Sequence, residues 1–234
     1  MRKPDAETDV KRNASRSVTG WAARAFAACS LVLFLSSCYV PDHFMAELRL
    51  SQYGDYQLTF HGDLVYLPIL YDYAAGRVPA DKDAERQKQI RQDLVRDKSF
   101  TKVVTLGHGR FRVSYVGPLT APGVRGGRLG RDELVAIIRR DSRMLTLRSL
   151  PNNEIIVAAS HLKPADAKVM AEEGVAMKGE FRITTNINVI KNNAEQVRPF
   201  GRYTVYIWHI DGPSSPMPYL VGIRNIDPTR PLPP

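Results

Sequence analysis

The feature that most constrains this chain is a short apolar run near its start, Ala25-Phe-Ala-Ala-Cys-Ser-Leu-Val-Leu-Phe-Leu35. A helix that crosses a bilayer needs about 20 apolar residues. This run falls well short and suits the apolar segment of a removable export signal. Arg16 and Arg24 precede it, as the basic region of such a signal requires. Met1 to Arg24 is long for that region and carries Asp5, Glu7 and Asp9. A start further down, near Val18, would remove the mismatch.

Leu35-Ser36-Ser37-Cys38 closes the run. An aliphatic residue, two small residues and a cysteine in this place resemble the bacterial lipobox. Small residues let a signal peptidase reach the bond before Cys38, and the thiol takes the diacylglycerol. The resemblance implies residues 1–37 as signal, with Leu35, Ser36 and Ser37 as recognition residues and Cys38 as the lipid-bearing first residue. Tyr39 follows; an aspartate there favours the inner membrane in enterobacterial lipoproteins, so Tyr39 implies the outer membrane, facing the periplasm.

The mature body then runs from Cys38 to Pro234. Its 234 − 37 = 197 residues make one ordinary domain. The whole chain has 33 Lys+Arg and 24 Asp+Glu; the signal takes six and three, leaving 27 − 21 = +6. That excess serves solubility or favours an anionic partner; no nucleic-acid partner is expected. Cys29 leaves with the signal and Cys38 is consumed by lipid, so thiol chemistry and disulfides are excluded.

The body reads as a single α+β domain over 44–226, a mainly antiparallel sheet built from hairpins with two amphipathic helices. Phe44, Ala46, Leu48 and Leu50 alternate with polar neighbours, and Tyr56, Leu58 and Phe60 repeat the pattern after Tyr53-Gly54-Asp55. Leu64 to Tyr71 is a third strand, placed at an edge or bulge by Pro68. Pro79 to Lys98 is a charged helix with a stripe of Ile90, Leu94 and Val95. Val103–Leu106 and Phe111–Val116 flank Gly107-His108-Gly109 as a hairpin. Residues 117–130 form a Pro/Gly/Arg loop. Strands follow at Leu134–Ile138, Met144–Leu150 and Glu154–Ala159, with Pro151-Asn152-Asn153 as a turn. Pro164 to Glu173 is a short helix stopped by Gly174. Strands close the domain around Phe181 and Ile183, at Tyr203–Ile210 with a core Trp208, and at Tyr219–Ile223. Asn192 and Asn193 are expected in a turn. Residues 38–43 form a short tether of about 20 Å at most, so the domain sits against the bilayer. A Pro-rich tail over 227–234 is expected to be disordered.

No catalytic or cofactor site is expected, and no metal site. His43, His61, His108, His161 and His209 lack ligand spacing. Gly126-Gly127-Arg128-Leu129-Gly130 lacks the Gly-Lys-Ser/Thr ending of a phosphate loop. The acid pairs Asp132/Glu133 and Glu172/Glu173 are adjacent, so their side chains diverge. The seven arginines between Arg125 and Arg148 are either the wet faces of strands or a patch for anionic headgroups. Tyr53, Tyr56, Tyr66, Tyr71 and Tyr73 are explained by strand packing, with an aromatic groove as the alternative.

Two segments carry a second resemblance. They are Ala46-Glu-Leu-Arg-Leu-Ser-Gln-Tyr-Gly-Asp-Tyr-Gln-Leu-Thr-Phe60 after Cys38, and Gly179-Glu-Phe-Arg-Ile…Asn192-Asn193-Ala194…Tyr203-Thr-Val-Tyr-Ile-Trp208. They are similar to LppM-type bacterial lipoproteins. That resemblance implies an α+β domain and a non-catalytic envelope protein with a lipid or protein partner, and it supplies no site residues. The rival readings are an envelope hydrolase whose site assembles only in three dimensions, and an accessory subunit of an envelope machine.

Overall fold

The computed structural model describes residues 39–121, 124–138, 144–225 and 229. The chain divides into two compact units, Met1–Leu35 and Ser36–Pro234, and every described residue belongs to the second. The expected Pro-rich tail lies outside the described residues, apart from Thr229.

Strands dominate. β1 (Tyr39–Leu50), β2 (Asp55–Tyr66), β3 (Phe100–Gly107), β4 (Arg110–Gly117), β7 (Gly127–Arg128), β11 (Gly179–Thr185), β13 (Gln196–Phe200) and β14 (Tyr203–Ile210) make one large sheet. Its order is β13-β14-β11-β1-β2-β4-β3, with β7 paired to β2. All its pairs are antiparallel except β1 with β11. A second sheet runs β12 (Asn188–Asn192), β15 (Tyr219–Ile223), β10 (Glu154–Ala159), β9 (Leu145–Ser149) and β8 (Leu134–Ile137). β5 (Leu119–Ala121) and β6 (Val124–Arg125) form a small ribbon, so the stretch expected as loop over 117–130 carries three short strands. Among the described residues three helices accompany the sheets: α1 (Leu67–Ala74), α2 (Ala80–Arg96) and α3 (Pro164–Glu172).

One face of the large sheet is dry. Leu48, Leu58, Phe111, Val113, Ile183 and Trp208 are each at most 2% exposed, and they join Leu147 and Ile155 of the second sheet in one core with Leu70, Leu94 and Met170 of the helices. The other face carries Glu47, Arg49, His61, Ser114, Arg182 and His209. This period-two split is what an antiparallel sheet wet on one side requires.

Four expectations are corrected. β1 starts at Tyr39, not near Phe44. The register shifts between Asp42 and Met45, and His43 there has φ 45°. The bulge breaks the alternation: Ala46, Leu48 and Leu50 are buried after it, whereas Tyr39, Val40 and Asp42 are buried ahead of it. The expected strand over Leu64–Tyr71 is instead the end of β2 followed by α1. Pro68 sits in the first turn of that helix, where its missing N–H costs nothing. Two helices therefore become three. In α2 the buried stripe runs through Gln87 and Leu94 with Ile90 packed beside them, while Val95 is exposed. Asn192 and Asn193 are no turn: Asn192 ends β12, and neither has a positive φ.

Candidate functional site

The sequence places the site at Cys38, with Leu35, Ser36 and Ser37 before it. All four lie outside the described residues. The described chain begins one residue later, at Tyr39, the first residue of β1.

Tyr39 pairs across the ladder with Tyr66, and their rings tilt together with centroids 5.0 Å apart. Tyr39 is 3% and Val40 1% exposed. Asp42 is also buried, and its Oδ1 accepts the His43 N–H at 3.0 Å and the Lys178 N–H at 3.2 Å. Its other oxygen lies 3.0 Å from His43 Nδ1. Beside it Phe44 stacks on Phe60 at 5.8 Å. Gly62 makes that packing feasible: its φ is +155°, and a Cβ there would come 2.6 Å from the Phe44 Cα.

α1 caps this end through polar clamps. The Tyr71 hydroxyl donates to Asp166 Oδ1 at 2.7 Å. Burial and that carboxylate push Tyr71 up to about 12. Asp166 is itself buried in the first turn of α3, where its charge suits the helix N-terminus. Asp72 receives Arg77 at 3.1 Å and Arg86 at 2.6 Å. Those two guanidiniums hold its carboxyl below the ordinary range. Tyr73 stacks on His108 of the β3–β4 turn at 4.4 Å, and burial with Asp83 pushes it up to about 12. The Tyr66 N–H donates to Gly109 O at 2.8 Å, which ties the same turn to α1. This end is a plug of aromatic rings and carboxylates, tied to α3 through Tyr71 and Asp166 and to the β3–β4 turn through Tyr73 and His108.

The histidines do not converge. His43 sits on Asp42 and His108 on Tyr73. His61 Nδ1 is 3.1 Å from Ser114 Oγ, its cross-strand partner on the wet face. No carboxylate holds the other ring nitrogen of His61 among the described residues, so the pair lacks the orienting acid of a nucleophilic triad. Asp63, two residues away, is gripped by Arg112 through Nε at 2.8 Å and Nη2 at 3.0 Å. His209 lies between Glu195 at 2.9 Å and Glu180 at 3.3 Å. The hydrogen bond to Glu195 raises its pKa, and Glu180 adds to the effect. Among the described residues no group of three or more His, Cys, Asp or Glu side chains could hold a metal ion.

The glycine-rich stretch is structural. Gly127 pairs with Tyr56, and Leu129 is fully buried. Arg128 bonds Asp55 at 2.6 Å. Glu133 turns back to accept the Gly130 N–H. Glu172 pairs with Lys168, and Glu173 caps the end of α3, its carbonyl accepting Arg110. Among the early tyrosines, Tyr56, Tyr66 and Tyr71 pack or bond within the domain.

Sequence reasoning missed three polar residues. Asn193 Oδ1 accepts both Trp208 Nε1 and the Tyr219 N–H at 2.8 Å, and its amide donates to Met217 O at 2.9 Å. It joins the two sheets at the crossing from β12 to β13. Asp166 is the second. The third is Arg224, 2% exposed, whose Nη1 donates to Leu129 O and Gly130 O at 3.1 Å. Burial pulls its pKa below the ordinary value. No local pattern announces any of them.

No protein-family model matches the chain, and neither does any curated protein. Among solved structures, the folded domain of the Mycobacterium tuberculosis LppM protein aligns over 85% of this chain and 96% of its own length. The identity is 10% and the TM-score 0.38. A likeness at that level carries no argument for the role of this chain.

Proposed function

We propose that this is a bacterial envelope lipoprotein, anchored through lipid on Cys38, whose domain performs a non-catalytic binding or assembly role at the membrane surface. One observation carries the reading. Tyr39, the residue after the predicted lipid cysteine, is already the buried first residue of β1. A lipid on Cys38 would hang directly from the end of the central sheet, with no spacer. Among the described residues no helix is long and apolar enough to cross a membrane. Burial of acyl chains at about 0.8 kcal/mol per CH₂ makes two or three chains effectively permanent. The outer membrane is the favoured site, because Tyr39 stands where a retention aspartate would stand.

The test is the Cys38→Ser variant made in a bacterial host. Wild-type protein should partition into the detergent phase, and the variant should lose the acyl mass and that partition. Equal partition of both would refute the anchor.

A further inference from the structure

We propose that the β13–β14 turn is a finger that seats in an anionic lipid surface. Phe200, at its tip, is 68% exposed, the most exposed large apolar side chain among the described residues. Val197, three residues back on the same edge strand, is 51% exposed. Phe200 pairs directly with Tyr203, so only Gly201 and Arg202 lie between the strands. Gly201 has φ +59° in open space, as the first residue of a tight II′-type turn requires. The tip is stiff, so presenting the phenyl ring costs little ordering on binding.

The charge around the tip has one sign. Arg198 and Arg202 flank Phe200, and no Asp or Glu occurs from Gln196 to Ile210. The Arg202 guanidinium lies over the Tyr203 ring at 5.2 Å and donates to its hydroxyl at 3.1 Å. Arg198 donates to Gln196. The nearest carboxylate in the chain, Glu195, is engaged by His209. An aromatic ring between two arginines is the pattern of a membrane-surface contact, with the ring at acyl depth and the cations at the phosphates.

A protein strand is the poorer occupant. β13 is the edge of its sheet, but Pro199 removes one ladder donor and Arg198 stands on the strand. Both are devices that discourage strand addition. A soluble polyanion would use the arginines and leave Phe200 without a role.

The finger is argued from its own geometry and does not require lipid on Cys38, so it can fail while the anchor stands. The test uses Ser36–Pro234, the compact unit, carrying Cys38→Ser so that no acyl chain contributes. It is mixed with vesicles of phosphatidylcholine alone or with about a third phosphatidylglycerol. Binding is expected only to the anionic vesicles. Phe200→Ser should lower it by about ten-fold, from loss of part of a phenyl burial. Arg198→Gln and Arg202→Gln should each lower it by about five-fold, with thermal unfolding unchanged. Phe200→Trp should shift its emission to the blue on binding and be quenched by brominated acyl chains. The proposal is overturned if wild type ignores anionic vesicles, if Phe200→Ser binds as well as wild type, or if inorganic polyphosphate binds through the arginines alone.

Discussion

At the Tyr39 end of the large sheet, side chains are pinned; at the Phe200 end, they are presented. Tyr39, Asp42 and Asp166 are all nearly inaccessible; Asp42 accepts the Lys178 N–H as well as that of its neighbour His43, and Asp166 accepts the Tyr71 hydroxyl of α1. Phe200, by contrast, is 68% exposed. The two ends are separated by the length of β1, 12 residues, or roughly 36 Å at about 3.3 Å per residue. The register fixes their opposition: Phe44 pairs with Gly179, which pairs with Ile210, while Leu50 pairs with Thr185, which pairs with Thr204. Stability is invested at the end next to Cys38, and the far end is left free for contact. Substitutions at the first should therefore cost folding, and substitutions at the second should cost only binding.

The largest effect is expected at Gly62. Alanine there would meet the Phe44 backbone at the bulge, and the strain should cost about 3 kcal/mol. For a domain this size that is about 6–12 °C in Tm, readable by calorimetry. A near-neutral Gly62→Ala would mean the bulge is soft.

Next comes Tyr71→Phe. It strips Asp166 Oδ1 of its donor in a buried setting, at a cost of about 2 kcal/mol. The same tyrosine offers a pH test. Its folded pKa of about 12 exceeds the ordinary value of 10, so its stabilisation is full below pH 10 and is lost as pH rises through about 12. Tyr56, Tyr73 and Tyr115 behave alike. Phenolate absorbance at pH 11 should fall short of the full count of 10 tyrosines and complete only on unfolding.

Asn193→Leu is expected to cost about 1–2 kcal/mol, because it orphans the Trp208 and Tyr219 N–H groups while water can partly replace it. Indole fluorescence under urea would show it. Phe200→Ser should be the smallest, within about 0.5 kcal/mol. A larger loss there would mean that the far end also carries stability, and would erase the contrast.

Much of this was legible because it depends on local sequence. Tyr203–Ile210 is a short apolar run rich in β-branched and aromatic residues, and its strand and the buried Trp208 are where that run puts them. Pro164 and Gly174 bracket α3 by conformational preference. The start of β1 was hidden because one bulge residue, His43, breaks the pattern ahead of it. α1 was hidden because a short apolar run with a proline reads as strand or helix alike. The bonds of Tyr71 to Asp166 and of Arg224 to Leu129 each span 95 residues, and only the folded topology brings those partners together. The lipid site remains a reading of Leu35-Ser36-Ser37-Cys38 and of its junction with Tyr39.

The central claim is that this domain hangs from lipid at its first sheet residue. Intact-mass and N-terminal peptide analysis of the protein taken from bacterial membranes tests it most directly. The account predicts cleavage after Ser37 and a Cys38 bearing diacylglycerol, with or without a further acyl chain. A mature N-terminus elsewhere, or an unmodified Cys38 in membrane-bound protein, would contradict it.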